Sequence, residues 1–418
     1  MNLGVTRWAS LAAAGVLALA ACGSGRGADG ARADGACSPG ITDTEIRIGQ
    51  SSLQSGVGAS YKSITDGITA KFKEINAAGG VTMGDGKTRK VTFISLDDGY
   101  DPARSVANVR KLVEQEHVAA FLANTGTSAI LAYIDYTTAK GVPLIFPAGS
   151  PPEELVTRYR EGRAMLALYT NATVEFENQA RVKAISAANP DARIAVLYSN
   201  EETGKTQLDA FKKAIKGTGL SIVATESYEL TAASVDSQVT SLRGSNADTF
   251  AILGSGTFIT MALKKAEELG WRPQKWITSS NPAVELLAPA GRGATDDVHS
   301  IHWSKNGDTV GAEKDPAIVR YREWAKKNGY DPDDALFQAG VNVVDNFRQI
   351  LEATKGCTGK AIYEAARGIE LKSDFALPGI TYGSSDKDPS FVHQAVEVTY
   401  DPDKNGWVPG DTIFSADE

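Results

Sequence analysis

From Ala119 to Ser150 the chain reads AAFLANTGTSAILAYIDYTTAKGVPLIFPAGS, two short apolar strands joined by one helix. Each strand closes in a loop of small, mostly polar residues. Asn124-Thr125-Gly126-Thr127-Ser128 follows the first and Pro147-Ala148-Gly149-Ser150 the second. In an open α/β sheet, loops at the carboxyl ends of adjacent strands line the crevice where ligands bind. The stretch therefore predicts a small-solute site formed by these two loops.

The pattern repeats along the chain. Glu45–Gln50 alternates apolar and polar residues, and Ile64, Ile68, Phe72 and Ile75 then fall on one helical face. A hairpin is expected around Gly84-Asp85-Gly86, leading into a strand at Lys90–Leu96. A helix after Asp101-Pro102 carries Val106, Val109, Leu112 and Val113, with proline at a natural first-turn position. Val118–Leu122 then leads into the opening stretch. After Ser150 strand-like segments recur at Met165–Tyr169, Arg193–Ser199, Ser221–Glu226, Thr249–Leu253 and Lys275–Thr278, separated by helical stripes such as Leu208, Phe211 and Ile215. Two successive blocks of this kind imply two mostly parallel sheets, each covered by helices, with a ligand cleft between them. Beyond Asp315 the chain returns to helix, with Leu336, Ala339, Val343, Phe347 and Ile350 on one stripe, and Val392–Tyr400 reads as a strand before a turn at 401–406.

The first residues do not belong to this pattern. Arg7 precedes an apolar run from Trp8 to Ala21, too short to span a membrane comfortably, followed by Cys22 and a Gly/Ala/Ser/Asp/Arg tract. Residues 1–21 read as a secretory signal and Cys22 as its lipidated terminus, because small residues before a cysteine resemble the bacterial lipobox; residues 22–42 then form a flexible tether. Losing Arg7 leaves 42 basic against 51 acidic residues. So acidic a chain, without basic clusters, is a poor candidate for nucleic acid. Cys37 and Cys357 face an oxidising exterior, where a disulfide between them and two unpaired thiols both remain open.

Ile48-Gly49-Gln50, Leu53-Gln54-Ser55-Gly56, Ile75-Asn76-Ala77-Ala78-Gly79-Gly80-Val81 and Asp97-Asp98-Gly99-Tyr100-Asp101-Pro102 follow one another in an order and spacing that resemble the Leu/Ile/Val-binding branch of the type I periplasmic solute-binding proteins. The resemblance runs from about Glu45 to Trp407. It implies a type I periplasmic-binding-protein fold, α/β, with two doubly wound parallel-sheet lobes joined by three crossovers near Ala164, Val298 and Asp388. Residues 43–164 with 299–388 would form one lobe and 165–298 with 389–418 the other. It also implies an ABC permease as partner. On the family's pattern Thr127 falls where a serine binds the ligand carboxylate, Gly149 where a backbone carbonyl accepts from the ligand ammonium, and Ser150 where a threonine contacts both groups. Ser128 adds a second hydroxyl at the same helix start, whose first turn lacks a carboxylate and so attracts an anionic or carbonyl group. Ser55 lies at the cleft edge, with Tyr61 and Tyr100 as candidate aromatic walls. From the second lobe, 200–204 with Thr203 and 254–258 with Thr257 should face the same cleft.

The chain departs from the amino-acid-binding pattern in that lobe. Thr203-Gly204 stands where a tyrosine commonly precedes glycine, and Ser280-Asn281 where an acid usually receives the ammonium, which makes Asn281 a candidate contact. A buried ammonium without a counter-charge costs several kcal/mol. Either Glu201 or Glu202 supplies that charge, or the solute is an amide, a carboxylate or an aromatic acid.

Other chemistry is thin. There is no GxxxxGK[ST], HExxH or CxxC, and His117, His299, His302 and His393 are scattered. No metal and no cofactor is expected, and Asp97 and Asp98 read as bonded to loop backbone rather than as an acid/base pair. The expected function is a lipid-anchored, extracytoplasmic substrate-binding protein of an ABC uptake transporter, held on the cell membrane. The alternatives are a ligand-sensing surface receptor on the same fold and a secreted hydrolase.

Overall fold

The computed structural model describes residues 37–148, 152–168, 172–254, 256–279, 284–385 and 387–416. The signal segment and Cys22 lie outside the described residues. Two sheets carry the chain. The first contains β1 (Glu45–Ser52), β2 (Val81–Thr82), β3 (Thr88–Asp97), β4 (Ala120–Leu122), β5 (Leu144–Ile145) and β6 (Leu166–Ala167), in the order β2-β3-β1-β4-β5-β6. All its pairings are parallel except the β2–β3 hairpin, whose turn holds Gly86 at φ 81°.

Helices α1 (Lys62–Ala77), α2 (Pro102–Glu114), α3 (Thr127–Ala139) and α4 (Glu153–Arg160) belong to this half. Their apolar stripes decide which face turns inward. Ile68, Phe72 and Ile75 of α1 and Val109 and Leu112 of α2 are buried. The start of α2 follows from Asp101, whose carboxylate accepts from the N–H groups of Ala103 and Arg104, and from Pro102, which lacks an N–H to leave unsatisfied.

The second sheet holds β7 (Arg193–Ser199), β8 (Ser221–Tyr228), β9 (Thr249–Leu253), β10 (Gln274–Ile277) and β11 (Val298–His302), all paired in parallel. A small separate pair, β12 (Glu370–Leu371) and β13 (Tyr382–Gly383), precedes β14 (Gln394–Asp401) and β15 (Gly406–Ser415), which join the second sheet antiparallel at its edge. The order is β15-β14-β11-β10-β9-β7-β8. Helices α5 (Val174–Ala188), α6 (Glu202–Ala214), α7 (Asp236–Arg243), α8 (Thr257–Glu268) and the short α9 (Arg292–Thr295) accompany this sheet.

Between β11 and β14 run α10 (Pro316–Lys327), α11 (Ala335–Ala353) and α12 (Gly359–Ala366). Helix α11 packs against α1 of the first half, so the chain returns there before its last hairpin. The approach is close because both helices place glycine at the contact: a Cβ on Gly67 would stand 2.2 Å from the Phe337 carbonyl oxygen, and one on Gly340 2.1 Å from that of Ile64.

The strands change sheet a few residues beyond each expected crossing. β6 at Leu166–Ala167 still belongs to the first sheet, β11 at Val298–His302 to the second, and β14 starts at Gln394. Periodicity cannot show where a strand ends its allegiance, because both sheets bury the same apolar residues. Two crossing segments run side by side, with Leu168 N–H donating to the Pro389 carbonyl at 2.7 Å and Phe391 N–H to that of Leu168 at 2.6 Å. The structure bonds Cys37 to Cys357, 320 residues apart, one of the two alternatives open from sequence.

Candidate functional site

In the first sheet the strand order reverses direction between β1 and β4, and in the second between β7 and β9. The carboxyl ends of strands flanking such a switch diverge and leave a crevice. All four loops concerned face one cavity of about 540 Å³ between the two sheets, lined by Leu53, by Ala123 and Thr125 to Thr127, by Ser199, Glu201 and Thr203, and by Gly254, Gly256 and Thr257. That volume lies within the range of roughly 300–1,000 Å³ common to small-molecule sites.

The first wall is fixed by buried polar groups. Thr125 Oγ1 accepts from Leu53 N–H at 2.8 Å, and Asn124 Nδ2 donates to the Tyr133 hydroxyl at 3.0 Å. Asp98 accepts from the hydroxyls of Ser51 and Ser105 and from Tyr100 N–H, while Asp97 accepts from the N–H groups of Gln54 and Gly99. The Ser55 hydroxyl and these amides hold the Asp97 carboxyl below its ordinary range against the effect of burial. Both carboxylates thus shape loops. Helix α3 starts at the cavity with Gly126 as its N-cap at φ 92°, no side-chain cap and no acid in the first turn.

The opposite wall repeats this arrangement. Helix α8 starts at the cavity behind Gly256, φ 63°, again without a side-chain cap or a first-turn acid. The positive ends of two helices, one from each sheet, therefore face one cavity, a setting that favours a carboxylate or carbonyl oxygen. The third helix start, α6, is different. Glu201 caps it, accepting from the N–H groups of Thr203 at 2.7 Å and Gly204 at 2.9 Å, and from Ser199 Oγ at 2.8 Å. Behind these loops the carboxylate of Glu177 accepts from Arg181 at 2.6 Å, Gln207 at 2.9 Å and Ser279 N–H at 2.8 Å, which fixes two cavity-lining residues on one buried ion pair.

Of the residues expected at the site, Tyr61, Tyr100, Thr127, Thr203 and Thr257 line the cavity. Tyr100 and Thr203 approach each other across it, close enough for the threonine side chain to act on the phenol. A second link between the halves is the ion pair of Glu153 with Lys213 at 2.8 Å. Two of the expected residues fall outside this lining. Ser55 is outside the lining because its hydroxyl donates to Asp97 at 2.6 Å. Ser128, about 100° further round the helix than Thr127, is exposed and also outside the lining. Gly149, Ser150 and Asn281 lie outside the described residues. Glu202 is exposed and does not reach the lining, which leaves Glu201 as the one carboxylate among the described lining residues.

Sequence reasoning missed a further part of the wall, formed after β11 by His302 to Asn306 and on α11 by Leu336, Gln338, Ala339, Asn342 and Val343. Its signal was present in the stripe of α11. Burial pushes the His302 imidazole down to about 3, so it is neutral, and its ring meets Trp407 edge-on at 5.0 Å. His299, on the same strand, stacks instead on Trp276 and bonds to Asp297 and Glu397, so the two histidines do not meet.

The family model described as "Periplasmic binding protein" matches residues 45–405. A Leu/Ile/Val-binding protein homolog 7 of Brucella abortus is 21% identical over 317 residues, 73% of this chain and 76% of that protein. Its counterpart in Brucella suis is 24% identical over the same lengths. Among solved structures, a branched chain amino acid ABC transporter protein from Thermus thermophilus with bound valine superposes with a TM-score of 0.76 at 16% identity, covering 89% of this chain and 97% of that one. A fatty acid ABC transporter substrate-binding protein from Thermomonospora curvata gives 0.74 at 20% identity, covering 91% and 95%. With its two switch-point crevices closed on one cavity and the family model spanning both sheets, this chain belongs to the periplasmic binding proteins.

Proposed function

We propose that the chain is the extracytoplasmic receptor of an ABC uptake transporter, anchored through an acylated Cys22, and that it delivers a solute with a carboxylate or carbonyl head and no ammonium. The observation that carries this reading is the pair of glycine-capped helix starts at Gly126 and Gly256, facing one cavity from opposite sheets. Thr127 and Thr257 stand beside them as hydroxyl donors, and Gly149, Ser150 and Asn281 complete the proposed set. An ammonium has a poor place here. Glu201 already accepts three hydrogen bonds at the α6 start, and an unpaired buried cation costs several kcal/mol. Valine and fatty acid, printed for two structural neighbours, share a carboxylate on an apolar body, while valine adds an ammonium that the fatty acid lacks.

Binding joins the two halves, because the head touches a helix start from each, and only such differential contact shifts an open–closed equilibrium. No covalent step is involved. A thermal-shift panel of amides, carboxylates, aromatic acids and amino acids tests the reading. A ligand at 100 times its dissociation constant stabilises the fold by about 2.7 kcal/mol. Thr127→Ala and Thr257→Ala should each weaken a hit about tenfold, the worth of one hydrogen bond to a charged group. Unchanged affinity in both variants rejects the head site. Loss of solute uptake on deleting the gene, with the solute recovered unmodified, separates the transporter role from a sensor and from a hydrolase.

A further inference from the structure

The cavity does not end at the two helix starts. It continues past the segment after β11 to α11 and Phe375. The apolar stripe of α11 explains its character. Phe347 and Ile350 are fully buried in the core, and Val343 is 2% exposed at the cavity's edge. One and two turns towards the N-terminus the same stripe leaves the core: Leu336 is half-buried and Ala339 exposed, and both line the cavity. An apolar helix face turned to a void loses the burial that its composition provides for. Across the void stand Leu230, Phe258 and Met261, each half-buried, and a thioether side chain adapts to varied apolar shapes.

Three polar side chains in this part, Lys305, Gln338 and Asn342, are already partnered. Lys305 Nζ pairs with Asp315 at 2.5 Å, and Gln338 Nε2 donates to the Lys305 carbonyl at 3.1 Å. Asn342 Oδ1 accepts from Ser373 at 3.1 Å and from Asn346 at 2.7 Å. Apart from the buried His302 Nε2, which has no hydrogen-bond partner, a solute reaching here meets mainly carbon surface and these satisfied dipoles, an environment that penalises a polar group and rewards a methylene.

We infer that this part of the cavity is a tail chamber, and that the solute is an amphiphile whose apolar tail lies along Leu336, Ala339 and Val343 while its head sits at the two helix starts. The inference rests on the head site proposed above and adds the substrate class to it. Chain length then sets affinity. Each methylene that enters the chamber should tighten binding about fourfold until the chamber is full.

The experiment is calorimetric titration of the delipidated protein with saturated monocarboxylates from about four to about fourteen carbons, all below their micelle concentrations. A dissociation constant that falls steeply with length and then levels off is the expected result. Ala339→Phe, which places a ring in the chamber from a position with no core neighbours to displace, should cut the long-to-short affinity ratio by about thirtyfold, while Thr127→Ala leaves that ratio unchanged and weakens every member. Binding of short acids with no gain from length, or an unchanged ratio in a folded Ala339→Phe protein, overturns the tail chamber and leaves the head site standing. Absence of binding at every length overturns the tail chamber, and absence of any hit in the thermal-shift panel as well overturns the head site.

Discussion

At the scale of single residues, two charged groups carry consequences that can be measured. Arg181 is fully buried and Glu177 nearly so, and burial pulls the guanidinium's pKa down while the carboxylate pushes it back up. Removing one partner of such a pair leaves the other buried and unpaired. Arg181→Met should therefore destabilise the fold by about 3–5 kcal/mol, read from denaturant unfolding, and adding Glu177→Gln in the same chain should recover part of the loss. His299 shows the opposite balance. Burial alone would lower its pKa, but hydrogen bonds to Asp297 and Glu397 prevail and push it up to about 8. A histidine whose folded pKa exceeds its ordinary 6.5 adds stability that is complete below about pH 6.5 and lost as pH rises through about 8. The melting temperature of His299→Gln should fall below that of the parent at pH 6 and approach it above pH 8, for a stake on the order of 1–2 kcal/mol. A constant gap across that window would reject the assignment. Legibility at this scale was uneven. Asp97 and Asp98 were readable as loop anchors because adjacent residues at a strand end point apart. Where Ser55 and Ser128 point was not readable, because a hydroxyl's partner depends on neighbours that sequence does not name.

At the scale of elements, the contact of α1 with α11 matters most, since α11 forms one side of the cavity. Gly340→Ala puts a methyl 2.1 Å from the Ile64 carbonyl oxygen and 3.0 Å from Ile68 N. The helices must separate, at a cost of about 1–3 kcal/mol typical of overpacking. Thermal melting checks this, and an unchanged midpoint would mean that the helices are not held so close. Most elements were legible. Arg193–Ser199 and Thr249–Leu253 are strands over the residues that alternation and apolar runs indicated. β15 was not, because its Pro409 and Gly410 are residues that strand interiors rarely hold. It is the edge strand of its sheet, where a missing N–H faces no partner and proline is tolerated.

At the scale of the whole molecule, the Cys37–Cys357 bond ties the first of the described residues to the segment just before α12. Closing so long a loop restricts the unfolded chain, so reduction should lower stability by about 2–4 kcal/mol, seen as a lower melting midpoint with reductant present. The sequence by itself determined the alternation of strand and helix, the two-sheet class and the loops at the ends of β1, β4, β7 and β9. These are local properties, encoded in the spacing of apolar residues and in the choice of small residues where strands stop. Only the tertiary structure decided which distant segments meet. It paired two cysteines 320 residues apart, kept β11 in the second sheet, and brought α11 back to the cavity with the end of its apolar stripe unburied. Periodicity shows that Leu336, Ala339, Val343, Phe347 and Ile350 share a face. Where along that face the core gives way to a cavity depends on what the rest of the chain places opposite it.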